Sequence, residues 1–396
     1  MNDEKNIKVS VVIPVYNAAE FLPKCLESFL SQTLEEIEII CINDGSSDDS
    51  LSVIQNYAGI DGRIICIDQE NAGAGKARNV GMEKASGKYI YFPDADDYAA
   101  ADLLQKAYET SEEYQTDICI FSCSLFDSQT GEVKPYPFSV KKAMLPHKQV
   151  FDMNDINGNP LMCFAGWAWD KLYRRDFVTE HRLQFQEQRT TNDLYFVTAA
   201  FLKARRVTFL PDYLYYQRRH NPNSLSETRH LSWDCFYRAI VKVRSEMIGM
   251  GIYDEHEKDF INFALRRCIW NLTTIRETEA ILLFRRLRDE WLDELKIRDY
   301  GAGFYDNPKD YEQLVLILNA TEREGCSAYH DYIINSLKLE NEKLNDPKRP
   351  IRISLKEVLP LDLLIKRLNW NREQRKLLSQ KLQALEEKLK TINEQI

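Results

Sequence analysis

The sequence predicts an α/β protein: a mostly parallel sheet in its first part, then a mainly helical region. Three observations carry this. Between residues 8 and 124, short β-rich apolar runs alternate with segments of helical spacing. Those runs are almost unbroken in their apolarity, as strands covered on both faces are. From about 231 to 345, glycines are few and apolar residues recur at i, i+3 and i+4. At 396 residues the chain is long enough for two to three folding units. The expected division is 1–230, 231–346 and a tail at 347–396, punctuated by Pro347, Pro350 and Pro360.

Taken in order, VSVVIPV (9–15), IEIICI (37–42), RIICI (63–67), KYIYF (88–92) and DICIFS (117–122) read as strands. Helical spacing fills the gaps at 21–31, 50–58, 75–85 and 102–114. From 125 to about 230 the pattern is mixed. It contains the aromatic stretch AGWAWDKLYRR, a helix expected from Leu194 to about Ala204 and a strand expected over Val207–Leu210. No internal repeat marks a solenoid.

Composition narrows the function classes. Apolar residues make up 44% and charged residues 29%, which argues against collagen-like, disordered and disulfide-scaffold chains. The net charge of −9 argues against coating nucleic acid by bulk charge. Nine scattered cysteines without a CxxC pair read as buried, reduced thiols rather than a zinc site. The charged N-terminus, broken at Pro14 and Asn17, does not resemble a signal peptide, and no run reaches the roughly 18 apolar residues of a bilayer span. The expectation is a cytoplasmic chain.

In parallel α/β sheets, ligands bind beyond the carboxyl ends of the strands. Here those ends carry Pro14-Val15-Tyr16-Asn17, Asn43-Asp44-Gly45-Ser46-Ser47-Asp48, Asn71-Ala72-Gly73-Ala74-Gly75-Lys76 and Pro93-Asp94-Ala95-Asp96-Asp97. Side chains alternate along extended chain, so Asp94 and Asp96 are expected to share one direction. Two such oxygen donors suit Mg²⁺ or Mn²⁺, although an Asp-rich turn capping the next helix explains the segment equally well. The 71–81 segment fails the P-loop template, with Glu70 and Ala77 at the wrong places, and fails the dinucleotide template at Arg78. It remains a loop feeding a helix start with Lys76 and Arg78, suited either to phosphate or to plain solvation. Asp44 reads as a turn residue or as an acceptor for a base or ribose, and Tyr16 as core or as a stacking ring.

Together, VSVVIPVYN, NDGSSDDS, NAGAGKARNVGM and YIYFPDADDY resemble, in order and spacing, the N-terminal half of family 2 glycosyltransferases with the GT-A fold. TTNDLYF and YYQRRHNPNSLS extend the resemblance over about residues 7–226. It implies a Rossmann-like GT-A domain that binds a nucleotide-sugar donor across these strand ends. In that reading Pro14, Tyr16 and Asp44 hold the nucleoside, Arg78 assists it or the diphosphate, Asp94 contacts ribose or metal water, and Asp96 binds Mn²⁺ or Mg²⁺. Asp193 is the candidate general base, with a helix cap as its alternative role. The family often has Glu-Asp where this chain has Asn192-Asp193, which makes Asn192 a hydrogen-bonding group on the acceptor side. Arg218 and His220, in a loop after YLYY, resemble the basic element lying over the diphosphate. Trp167 and Trp169 match a segment near the acceptor, with core packing as the alternative.

The implied reaction is inverting transfer of a hexose or N-acetylhexosamine, from a UDP-sugar, to a growing or lipid-linked surface glycan. Its rivals are a sugar nucleotidyltransferase, which would need a Gly- and Arg-rich triphosphate loop near the N-terminus, and an idle glycan-assembly scaffold. Residues 348–381 hold ten Lys or Arg against three acids, while residues 1–347 carry −15. With interleaved apolar residues, this stretch suits either an anionic membrane surface, making the chain peripheral at the inner face, or packing as a helix on the body. Leu378, Leu382, Leu385, Leu389 and Ile392 form a short heptad seam suited to a homodimer or to docking on a 337–344 helix.

Overall fold

The computed structural model describes residues 6–219, 228–275 and 279–319. His220, the basic 348–381 stretch and the heptad seam lie outside the described residues. The chain divides into two compact units between Ala264 and Leu265.

The first unit follows the predicted alternation closely. Strands β1 (Val9–Val15), β2 (Ile37–Asp44), β3 (Ile64–Gln69) and β4 (Tyr89–Tyr91) are joined by helices α1 (Leu22–Leu30), α2 (Ser50–Ile60) and α3 (Ala74–Lys84). β1 and β2 are buried along nearly their whole length, which is why they read as unbroken apolar runs. α1 turns Leu22, Cys25, Leu26 and Phe29 inward at helical spacing. After β4 come β5 (Tyr98–Ala99), α4 (Leu103–Tyr114), β6 (Ile118–Asp127), β7 (Val133–Tyr136), β8 (Lys171–Arg174), α5 (Arg175–Glu180), α6 (Asp193–Lys203) and β9 (Val207–Arg219).

Among the described residues, all nine strands form one sheet in the order β3-β2-β1-β4-β8-β6-β9-β5, with β7 on β6. β1 lies between β2 and β4, parallel to both. The strand order therefore reverses at β1, and a crevice is expected at the carboxyl ends there.

Two expectations are corrected. The strand at 118–127 does not follow β4 directly, because β8 inserts between them, antiparallel to both. The Lys171-Leu172-Tyr173 part of the aromatic stretch AGWAWDKLYRR thus enters the sheet; its charged start concealed a buried strand. The second correction concerns the basic residues near 218. Leu210 pairs with Phe121 and Tyr213 with Ser122, leaving Pro211 and Asp212 in a bulge. A bulge is a normal place for proline, which has no N–H to give the ladder. The two strand-like pieces are therefore one strand that runs on to Arg219, and Arg218 pairs with Phe126 instead of sitting in a loop.

Helix α7 (Cys235–Gly249) packs on α6, with Glu246 accepting from Tyr195 Oη (2.6 Å) and pairing with Lys203 (2.7 Å). Helix α8 (Glu257–Thr274) carries the division at 264/265. The described part of the second unit contains α9 (Glu279–Arg286), a π turn at Leu287–Trp291, α10 (Leu292–Glu294) and α11 (Pro308–Asn319). Within it Leu283, Leu287, Leu292 and Ile297 are buried, and Arg266 pairs with Asp310 at 2.6 Å. Eight cysteines fall among the described residues, all free thiols and all but Cys66 buried. No described helix is long and apolar enough to cross a membrane.

Candidate active site

The loops after β1 and β2 are laced together. Asn17 accepts from the Ser47 N–H (2.8 Å) and donates its own N–H to Ser46 Oγ (3.0 Å), while the Ala18 N–H reaches Ser50 Oγ (2.9 Å). This fixes the chain around Tyr16, whose ring is 53% exposed, while Pro14 is half-buried in β1. Asp44 is buried and accepts three hydrogen bonds: from Gln69 Nε2 (2.7 Å) and the N–H groups of Ala72 and Gly73 (2.8 Å each). It shapes the 69–73 loop, and Gly45 permits the approach. Gly45 sits at φ +67°, and a Cβ there would lie 2.7 Å from the Asn71 nitrogen.

Downstream of β4 the extended geometry behind the expected alternation does not continue: Ala95 and Asp96 form a turn in which the Asp97 N–H donates to the Asp94 carbonyl (3.3 Å), with Asp94 and Asp96 half-buried and Asp97 buried. One carboxylate oxygen from each of Asp94, Asp96 and Asp97 lies within 4.8 Å of the others. Three hard oxygen donors so close together are the ligand chemistry of Mg²⁺ or Mn²⁺. Asp97 is held from the far end of the sheet: Tyr215 Oη donates to its Oδ2 (2.8 Å) and the Arg218 N–H to its Oδ1 (2.7 Å). Tyr215 Oη also accepts from the Asp94 N–H (3.1 Å), and Arg218 Nε donates to the Asp96 carbonyl (2.7 Å). Burial, then the charges of Asp96 and Asp94, pushes the Asp97 carboxyl well above the usual carboxylate range.

Arg78 joins this cluster to a second one. Its guanidinium is buried rather than solvated at a helix end, and it pairs with Asp94 Oδ1 (2.5 Å) and Asn192 Oδ1 (2.8 Å), 5.3 Å from the Phe185 ring centre. Asn192 stands at the N-cap position of α6 without a side-chain capping hydrogen bond, and Asp193 is the first residue of that helix. Helix α3 grips the 185–192 segment elsewhere too: Asn79 exchanges two hydrogen bonds with the Phe185 backbone (2.8 and 3.0 Å). A Cβ on Gly75 would lie 2.1 Å from the Gln186 carbonyl oxygen and 3.1 Å from Asn192 Cβ. Because the obstruction is backbone, Gly75→Ala should destabilise the protein by about 1–3 kcal/mol and pull Asp193 out of register. A lowered melting temperature together with lowered turnover is the expected result; a variant matching wild type in both would refute this tight contact.

Trp167 and Trp169 stack on one another (4.7 Å), Tyr136 lies against Trp167 (5.5 Å), and Trp169 lies against Tyr215 (4.8 Å). Trp169 is 3% exposed and belongs to the hydrophobic core, so its ring has no face open to a sugar. Trp167 is half-buried. Sequence reasoning missed Tyr215 and the supporting role of Asp97. Only the YLYY run hinted at the tyrosine, because its partner lies 118 residues earlier.

The Glycosyl transferase family 2 model matches residues 10–187, which include the strand-end loops described here. The glycosyltransferase YibD of Escherichia coli is 30% identical over 292 residues, covering 71% of this chain and 83% of YibD. This chain belongs to glycosyltransferase family 2. The glycosyltransferase EpsJ of Bacillus subtilis is 36% identical over 222 residues to this family 2 chain, which spans only 63% of EpsJ's length. The crystal structure of Staphylococcus aureus TarS 1–349 in complex with UDP-GlcNAc superposes with TM-score 0.50 at 18% identity, covering 77% of this chain and 92% of that one. The family 2 chain thus has the GT-A fold expected of it.

Proposed function

We propose that the chain is a metal-dependent, inverting glycosyltransferase that moves a hexose or N-acetylhexosamine from a UDP-sugar to a hydroxyl of a growing surface glycan, lipid-linked or not. One observation carries this reading: buried Arg78 ties the acidic cluster, through Asp94, to Asn192 and hence to Asp193. A donor end and a base end are thereby held in fixed relation, as displacement at a sugar carbon requires. The UDP-GlcNAc bound to TarS, which shares the fold, supports the choice of nucleotide. We assign the chemistry to residues 1–230, within the first compact unit, with 231–346 and 347–396 following it.

In this reading the acceptor oxygen attacks the anomeric carbon as its proton passes to the Asp193 carboxylate. The bond from that carbon to the diphosphate oxygen breaks, and the nucleoside diphosphate leaves with the electron pair. Asp96, with Asp94 and Asp97 beside it, would hold Mn²⁺ or Mg²⁺, which when bound neutralises charge on the diphosphate. Tyr16 stacks on the base, Pro14 and Asp44 serve the nucleoside, and Arg218 and His220 are the cations assigned to the diphosphate. Asn192 and Trp167 stand on the acceptor side.

A thermal-shift and calorimetric screen of UDP-, GDP- and dTDP-sugars with and without Mn²⁺ tests the donor. The expected result is stabilisation by a UDP-sugar that depends on Mn²⁺. Absence of binding by every nucleotide would sink the proposal, and release of pyrophosphate from a nucleoside triphosphate and a sugar phosphate would favour a nucleotidyltransferase instead.

A further inference from the structure

The loop between Phe185 and Asn192, which delivers the chain to Asp193, is held on two sides. On one side α3 fixes it through Asn79 and the close approach of Gly75. On the other it meets residues 228–235, which lead into α7. Gln188, Thr190, Ser232 and Cys235 are all buried in that contact. Gln188 Nε2 donates to the Thr191 carbonyl (3.0 Å) and to the Cys235 carbonyl (3.1 Å), and Thr190 Oγ1 shares a hydrogen bond with Ser232 Oγ (2.7 Å). A glutamine amide has two N–H groups, so Gln188 gives its whole donor capacity to two backbone carbonyls.

Thr191, whose carbonyl Gln188 holds, sits at φ +55°. Of the five non-glycine residues with positive φ among the described ones, it is the one with a β-branched side chain. Such a residue is a true outlier in the left-handed region, and it stays there only where its surroundings over-determine it. Those surroundings are visible here. Gln188 grips the peptide that follows Thr191, and the Gln186 N–H donates to the Asn192 carbonyl (3.1 Å), pinning the next one. The left-handed step comes two residues before Asp193 and sets the direction in which the chain enters α6.

We propose that Gln188 is a positioning residue for the base: by holding the Thr191 carbonyl it keeps Thr191 left-handed and so aims the start of α6, with Asp193 in its first turn. The inference rests on Asp193 being the base. When both amide hydrogen bonds are removed, Thr191 relaxes to an ordinary negative φ, the 191–192 peptide turns, and Asp193 leaves its line to the acceptor oxygen. The Thr190–Ser232 hydrogen bond and the α3 contacts still tie the loop down, so the fault is one of aim rather than of folding.

Gln188→Met keeps the bulk of the side chain and removes both donors. With UDP-GlcNAc and UDP-glucose as donors, water as acceptor and Mn²⁺ present, kcat for release of UDP should fall by about 10–100-fold, the cost of a misplaced reacting group, while donor KM stays within about twofold of wild type. Glycine adopts the left-handed conformation without steric cost. Gln188→Met/Thr191→Gly should therefore recover kcat to within about fivefold of wild type, a rescue that a plain brace between loop and α7 would not show. Crystal structures of both variants read the geometry without turnover: residue 191 should leave positive φ in the single variant and return to it in the double. If Gln188→Met does not fold, Gln188→Asn, whose amide is withdrawn by one methylene, carries the same two readouts. Wild-type kcat in the single variant, no recovery in the double, or residue 191 still near +55° in the single overturns the inference. If Asp193→Asn is inactive while Gln188→Met keeps wild-type kcat, only this inference fails; if Asp193→Asn transfers sugar at the wild-type rate, the base assignment itself fails.

Discussion

Asp193→Asn should lower the rate of sugar transfer by about 10²–10⁴-fold, the usual contribution of a positioned general base. The substitution removes a proton acceptor and keeps the size of the side chain. An amide fits where the carboxylate stood at the start of α6, and the Arg78–Asn192 hydrogen bond is untouched. Loss of the favourable carboxylate at a helix N-terminus costs at most about 1 kcal/mol, so the melting temperature should move by only a few degrees. Donor KM should stay near wild type while kcat collapses, because Asp193 acts in the transition state and not in ground-state binding. Steady-state kinetics with the donor found in the nucleotide screen checks this. Retention of more than about a tenth of wild-type kcat would remove Asp193 from the role.

Asp96→Ala should abolish the response to Mn²⁺ and lower transfer by about 10²–10³-fold. In the wild type, Mn²⁺ at about a hundred times its dissociation constant adds about 2.7 kcal/mol, or roughly 5–10 °C in melting temperature. The size of this gain depends on pH in a definite direction. Asp97 has its carboxyl raised, so its neutral form favours the fold at low pH and that contribution is lost as pH rises through its folded value. Protons and cation compete for the same oxygens, so the Mn²⁺ gain should be larger at pH 8 than at pH 5. Differential scanning fluorimetry with Mn²⁺ and with EDTA at both values reads it directly. An equal gain in wild type and Asp96→Ala would place the cation elsewhere.

Much of the donor half was legible because it is built from local pattern. β1 to β3 coincide with apolar runs, and their exposed ends are marked by Asn, Asp and Gly, which local turn chemistry selects. What stayed hidden depends on distant partners. Arg78 read as suited either to phosphate or to plain solvation, because nothing nearby in sequence reveals that Asn192, 114 residues on, supplies its acceptor. β8 escaped because it is four residues long and opens on a lysine, whose burial makes sense only with Asp170 and two carbonyls around it. β9 read as two pieces because Pro211 interrupts its pattern, and only the ladder with β6 shows that the chain continues past it. The tryptophans remained open between sugar platform and core because an indole serves either, and the burial of Trp169 comes from Tyr215 and Trp167 rather than from its own sequence context.

The hydrogen bonds from Tyr215 and Arg218 to Asp97 also bear on the order in which the protein is made. During synthesis the carboxylates at 94–97 leave the ribosome well before their lock, which lies more than a hundred residues later. Until β9 has emerged and paired with β5 and β6, Asp97 has no hydroxyl or amide to receive it and stays in water. The helical segments and the β1–β3 layer rest on nearer contacts and can form first, whereas pairings of such sequence separation close slowly. The nascent chain therefore acquires its scaffold before its chemistry. A ribosome-bound fragment ending near residue 187 would hold the first four strands with the acidic loop still unclosed.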